Sequence, residues 1–156
     1  MSNWTEFHIQ ITGARADQQS LVALLQQHQE HCDDLRTPWV FNFSSVCSKE
    51  RQYFWSPERW YEWEAETLVI HGEMKWMPPL IIVGKLAEMF PALTFDVIST
   101  TEHEWFEHWR ATHQDSLQLI EDRIIDLREE SVVRHWTREG EESVFSLPAK
   151  ELPAEF

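Results

Sequence analysis

One stretch constrains the fold more than any other: KWMPPLIIVGKLAEMFPALTF, Lys75 to Phe95. Pro78 holds Met77 extended, which ends the strand before it. Pro79 suits a first helical turn, where a missing N–H costs nothing. Ile82, Val83, Leu86, Ala87, Met89 and Phe90 then recur at helical spacing and form a broad apolar face. Pro91 stops the helix, and Leu93, Phe95 and Val97 alternate as the next strand opens. The stretch predicts a strand–helix–strand crossover with its two strands parallel and the connection right-handed. Its prolines are punctuation rather than chemistry.

The N-terminal half repeats that order. Phe7, Ile9 and Ile11 alternate with His8, Gln10 and Thr12 in a strand over 4–12, closed by Gly13. Asp17 is placed to cap the following helix, whose apolar stripe is Leu21, Leu24, Leu25 and His28. Pro38 forbids its continuation, and Trp39, Phe41 and Phe43 alternate as a second strand. A third strand runs from Thr67 to Trp76 with Leu68, Ile70, Met74 and Trp76 on one face, and Gly72 in that row reads as a bulge. These elements predict an α+β fold, a ferredoxin-like βαββαβ sandwich. Residues 104–126 add a C-terminal β-hairpin, and residues 48–66 an aromatic insert without sustained period that packs onto the body. The domain spans 1–126. Residues 127–156 form an extension, with 127–136 open between helix and strand and the last dozen residues a tail.

The quoted residues resemble one family, the YubB-like or Api-like proteins with a ferredoxin-like domain, found on plasmids, phages and genomic islands. The resemblance rests on Met1-Ser2-Asn3-Trp4 with Ile11-Thr12-Gly13, on Phe41-Asn42-Phe43, and on Trp76, Pro78, Pro79, Phe90-Pro91, Leu93 and Phe95. It covers residues 1–110. Of the family's W-G-T-K-W run only Trp63 is present, and Glu107 and Gln114 stand where the final hairpin tends to have glycines. The resemblance implies a fold and a mobile-element setting, in which small acidic proteins often act against host defence. It carries over no catalytic residue.

Charge bears on function directly. Twenty-seven acids against thirteen Lys and Arg give a formal net charge of −14, which repels phosphate backbones and anionic lipid. Direct DNA binding and membrane association are not expected. The N-terminus lacks the basic and apolar regions of a signal peptide, and Cys32 and Cys47 are too few for a disulfide framework, so the expected location is cytoplasmic.

His28, His31 and Cys32 could share a helix face as zinc ligands, but no fourth donor is near and a polar helix end is the simpler account. His103, His108 and His113, five apart, cannot converge locally. Ser45 and Cys47 have no histidine base placed for them, and no phosphate-cradling, zinc-protease or nucleophile-elbow motif is present. The expectation is a non-enzymatic protein with no cofactor and no metal.

Two surfaces remain as candidates. In the insert, Tyr53, Phe54, Trp55, Trp60, Tyr61 and Trp63 accompany Arg51 and Arg59. Covering a sheet face is the preferred account of them; a protein interface or base-stacking site is the alternative. In 101–142, twelve acids against five arginines concentrate charge, with Glu102 and Glu104 on one strand face, Phe106 beside them and Trp105 opposite. These acids either guard an edge strand or dock on a basic partner. The working expectation is an acidic binding protein, a possible counter-defence inhibitor, that occupies a basic nucleic-acid-binding site on a host protein. Its predicted partner-binding residues are Glu102, Glu104, Trp105, Glu107, Glu121, Asp122, Trp55 and Trp60. The alternative is a nucleotide- or RNA-binding module that uses the aromatic insert.

Overall fold

The structure is a computed structural model and describes residues 4–46, 53–101, 105–115, 117–125, 131–137 and 142–147. The elements run β1 (Trp4–Thr12), α1 (Arg15–Gln27), β2 (Gln29–His31), β3 (Trp39–Asn42), β4 (Tyr53–Ser56), β5 (Tyr61–Glu64), β6 (Thr67–Lys75), α2 (Leu80–Met89), β7 (Thr94–Thr101), β8 (Trp105–Ala111), β9 (Leu117–Ile125), β10 (Ser131–Thr137) and β11 (Glu142–Leu147). Among the described residues all eleven strands join one sheet, ordered β11-β10-β9-β8-β7-β1-β6-β4-β3-β2 with β5 also on β6. Every recorded pairing is antiparallel.

This overturns the expected ferredoxin-like βαββαβ sandwich. The chain is β-rich, and its two short helices serve a sheet much wider than that fold provides. The segment read as an insert supplies β4 and β5, and the extension supplies β10 and β11, which continue the sheet beyond β9. The crossover around α2 does leave β6 and β7 parallel to each other, because both pair antiparallel with β1 between them.

β4 and β5 behave as one interrupted strand. Both run antiparallel to β6, at Trp55↔Glu73 and Tyr61↔Ile70. Pro57 has no N–H to give a ladder, so the chain leaves the sheet from Pro57 to Trp60. The backbone of His71 is still paired at the gap: its N–H donates to Trp60 O at 2.9 Å, and its carbonyl accepts from Ser56 Oγ at 2.7 Å.

Both helices lie on one sheet face. Leu21, Val22 and Leu25 of α1 and Ile82, Val83, Leu86 and Ala87 of α2 share a core with Phe7, Ile9, Ile11, Leu68, Ile70, Phe95 and Val97. The alternation read for β1 holds, with these odd positions buried. Asp17 does not cap α1; it lies in the first turn, and the capping position is Ala14 without a side-chain hydrogen bond. The polar residue that fixes α1 is instead Gln18, fully buried. Its Nε2 donates to Ile11 O at 3.0 Å and Glu66 O at 2.9 Å, and its Oε1 accepts from Trp63 Nε1 at 2.9 Å.

Gly72 marks no bulge, since the β1–β6 register runs unbroken through Phe7↔Gly72. It makes room: a β-carbon there would lie 2.6 Å from Phe7 Cζ and 3.0 Å from Phe54 Cδ2. Trp76 leaves the strand rather than extending its buried row. Its φ of +72° turns it out of the sheet, and it is exposed.

Candidate functional site

The sheet has two unlike faces. Directly paired residues of antiparallel strands point the same way. Hence Trp105, Glu107, Trp109 and Asp122 project to the helix-bearing side, while His8, His71, Glu6, Glu73, Asp96 and His108 project to the other.

On the helix-bearing side the hairpin β8–β9 sets two carboxylates face to face, Glu107↔Asp122. Both side chains are half-buried. Burial raises the Glu107 carboxyl above its ordinary value and the Asp122 charge adds to the rise, against the opposing Trp109 N–H. Burial likewise raises Asp122, opposed by Trp105. The Trp109 indole N–H donates to Glu107 Oε2 at 3.3 Å. Asp122 Oδ1 is buried with no hydrogen-bond partner among the described residues. Trp105 flanks this pair and is 39% exposed. Among the described residues no cation pairs with either carboxylate; two like charges so placed, partly dehydrated, are a poor arrangement for the free protein and a good one for accepting a cation.

Three predicted residues, Trp105, Glu107 and Asp122, therefore come together. Glu121 does not join them. It lies on the opposite face across from His108, and its Oε1 is 2.9 Å from Arg123 Nε. Arg123 in turn covers Phe106, with its guanidinium carbon 4.0 Å from the ring centre. Trp55 is half-buried on that opposite face, edge-on to Trp4 and Tyr53. Trp60 is a correction: at 4% exposure it belongs to the core, 4.7 Å from the Phe41 ring and 4.3 Å from Tyr61. Glu102, Glu104, His103 and Cys47 lie outside the described residues.

The helix-end histidine–cysteine group does not assemble. His28 Nδ1 pairs with Asn42 O at 3.0 Å and its ring stacks on Phe43, while Cys32 Sγ donates to Thr37 O at 3.0 Å. Among the described residues no three His, Cys, Asp or Glu side chains are placed to hold a metal ion. Among them, too, no helix is long and apolar enough to cross a membrane.

Sequence reasoning missed the side of the sheet away from the helices. There a cleft of about 260 Å³ opens beside the β4–β5 gap, lined by Glu6, His8, Arg36, Thr37, His71 and Glu73 among others. Arg36 grips Glu73 with two hydrogen bonds, 3.1 and 2.7 Å, and so ties the loop before β3 to β6. His8 and His71 oppose each other across β1 and β6 with ring centres 6.4 Å apart. His71 Nε2 lies 3.1 Å from Glu62 Oε1. Two strands further on, Asp96 Oδ1 accepts from His108 Nε2 at 2.8 Å and Arg110 Nε at 2.9 Å. The even-numbered polar positions of β1 were the available signal, but only the register of β6 brings His71 opposite His8.

Compared with models of protein families, with curated proteins and with solved structures, the chain matches none.

Proposed function

We propose that this chain is a non-enzymatic acidic binding protein that docks on a basic protein surface through the β8–β9 hairpin. The observation that carries the reading is the Glu107–Asp122 pair beside exposed Trp105. A guanidinium or ammonium entering there pairs with both carboxylates and lies against the indole, which relieves their mutual repulsion. The chain's charge of −14 steers such a partner inward and disfavours nucleic acid. A site that normally grips phosphates is the kind of basic surface these carboxylates would occupy, which is how such a protein would act as an inhibitor. The base-stacking alternative has lost Phe54 and Trp60 to the core, and no observation favours it.

The test is titration of the full chain with an arginine-rich peptide and, separately, with a single-stranded oligonucleotide, followed by tryptophan fluorescence at low and physiological salt. Saturable peptide binding that weakens with salt and with Glu107→Gln, Asp122→Asn or Trp105→Ala is expected. Saturable oligonucleotide binding, or peptide binding indifferent to those three substitutions, would refute the reading.

A further inference from the structure

The Glu107–Asp122 pair borders a wider exposed surface, and we propose that the partner enters there as an amphipathic basic helix, a step that rests on the reading of that pair as a cation site. The helix lies on the helix-bearing face beyond the first turn of α2. It places an arginine between the two carboxylates and apolar side chains against Trp76, Met77 and Ile81.

The sheet register gathers this surface. Met74, Thr5, Thr101 and Trp105 form one row across β6, β1, β7 and β8. Trp76 and Met77 follow Met74 directly, so they leave the sheet at the end where Trp105 enters it. Ile81 lies in the first turn of α2, which then packs over β7 and β8. A β-carbon on Gly84 would lie 3.5 Å from Leu117 Cδ1, so α2 meets β9 at that strand's first residue. Asp122 is about 16 Å further along β9. The acid pair thus lies beyond α2. Trp76, Met77 and Ile81 are 56%, 48% and 40% exposed, and with Trp105 they make up four of the six large apolar side chains exposed among the described residues. Trp76 is held out by a left-handed backbone that bulky residues rarely adopt, and this strain presents its indole to solvent rather than to the core.

The two parts of the surface define what fits it. Half-buried carboxylates call for a cation, and the exposed apolar side chains call for apolar neighbours to that cation. Met74 and Trp105 are three strand spacings apart, about 14 Å, which a helix spans in about two and a half turns with one face toward the sheet. This face already takes α1 and α2, and a helix from the partner extends the same layer.

The full chain would be titrated with two peptides of identical composition, rich in arginine and leucine. One repeats leucine at helical spacing; the other is scrambled so that no apolar face forms. Tryptophan fluorescence reads binding, and circular dichroism reads helix gained by the peptide. The amphipathic peptide should bind at least tenfold tighter and become helical. Met77→Ser, Ile81→Ser and Trp76→Gly should each weaken it about threefold or more and leave the scrambled peptide unaffected. Trp76→Gly, which suits the left-handed backbone, should do so without lowering the thermal midpoint. Glu107→Gln should weaken both peptides. Equal binding of the two peptides, or no helix gain, would overturn the inference, and a retained Glu107→Gln effect would leave the cation site standing. Binding of neither peptide would overturn both. Concentration-dependent self-association in sedimentation, abolished by Trp76→Gly, would assign the surface to a second copy of this chain and also overturn the inference. The peptide comparison on the unsubstituted chain decides the matter even if a variant fails to fold.

Discussion

Gly72 faces Phe7 across β6 and β1, and the Phe7 ring fills the space in which a side chain at 72 would begin. Phe54 closes the same space from β4, edge-on to Phe7 with ring centres 5.3 Å apart. The glycine is there to seat two phenylalanines. Gly72→Ala forces one of those rings off its packing, at a cost of about 1–3 kcal/mol. Urea denaturation should show a lower midpoint with an unchanged slope.

Asp96, on the face away from the helices, accepts hydrogen bonds from both His108 and Arg110. Burial pulls its carboxyl upward, but hydrogen bonds from His108 and Arg110 outweigh that and hold it below its ordinary 3.8. A depressed carboxylate stabilises the fold above its unfolded value and loses that contribution as pH falls through the folded one. Asp96→Asn should therefore cost about 1–3 kcal/mol at pH 7. The gap between variant and parent should narrow below pH 3.8, read from denaturation midpoints across the pH range.

Glu107 has the opposite sign. Its carboxyl is raised above the ordinary 4.5, so its contribution is fully present below that value and is lost as pH rises through the folded one. At neutral pH the pair Glu107–Asp122 opposes folding. Glu107→Gln should stabilise the chain by about 0.5 kcal/mol at pH 7. That advantage should disappear as the parent protonates toward pH 4.5; a substitution that destabilises equally at both values would contradict this account.

Trp60 and Trp105 separate folding from binding. Trp60→Ala empties a core position and should cost about 3–5 kcal/mol. Trp105→Ala, at an exposed hairpin position, should leave stability within about 1 kcal/mol yet cut arginine-rich peptide affinity at least tenfold. Thermal denaturation and peptide titration of the two variants side by side check the contrast.

The strands and helices with one buried face were legible because their period survives in the residue order: β1, β7 and both helices follow from it, and β6 from its row Leu68, Ile70 and Met74, although Val69 and Glu73 on its other face are buried too. β4 was not, since Tyr53-Phe54-Trp55 puts aromatic rings on both faces; β5 was not, since its alternation, Tyr61 and Trp63 on one face and Glu62 on the other, lasts only four residues and Pro57 parts it from β4. β2 is three residues long and shows no pattern at all. Trp105, Glu107 and Asp122 could be named as candidates from the acidic hairpin. Their meeting depends on its register, which shifts between His108 and Trp109, and no local pattern encodes that shift. Trp60 was misjudged because composition does not distinguish an interface tryptophan from a core one. His8 and His71 lie on strands that pair only through the tertiary fold.

The position of β1 governs the order of assembly. It is made before every other strand described, yet its two neighbours in the sheet are β6 and β7, and Thr5 meets Thr101 across 96 residues of chain. During synthesis the apolar row Phe7, Ile9, Ile11 has α1 to lie against but no partner strand until β6 and then β7 have left the ribosome. Closing so long a loop before any ladder rewards it makes folding slow, and the waiting segment is the one most in need of a chaperone.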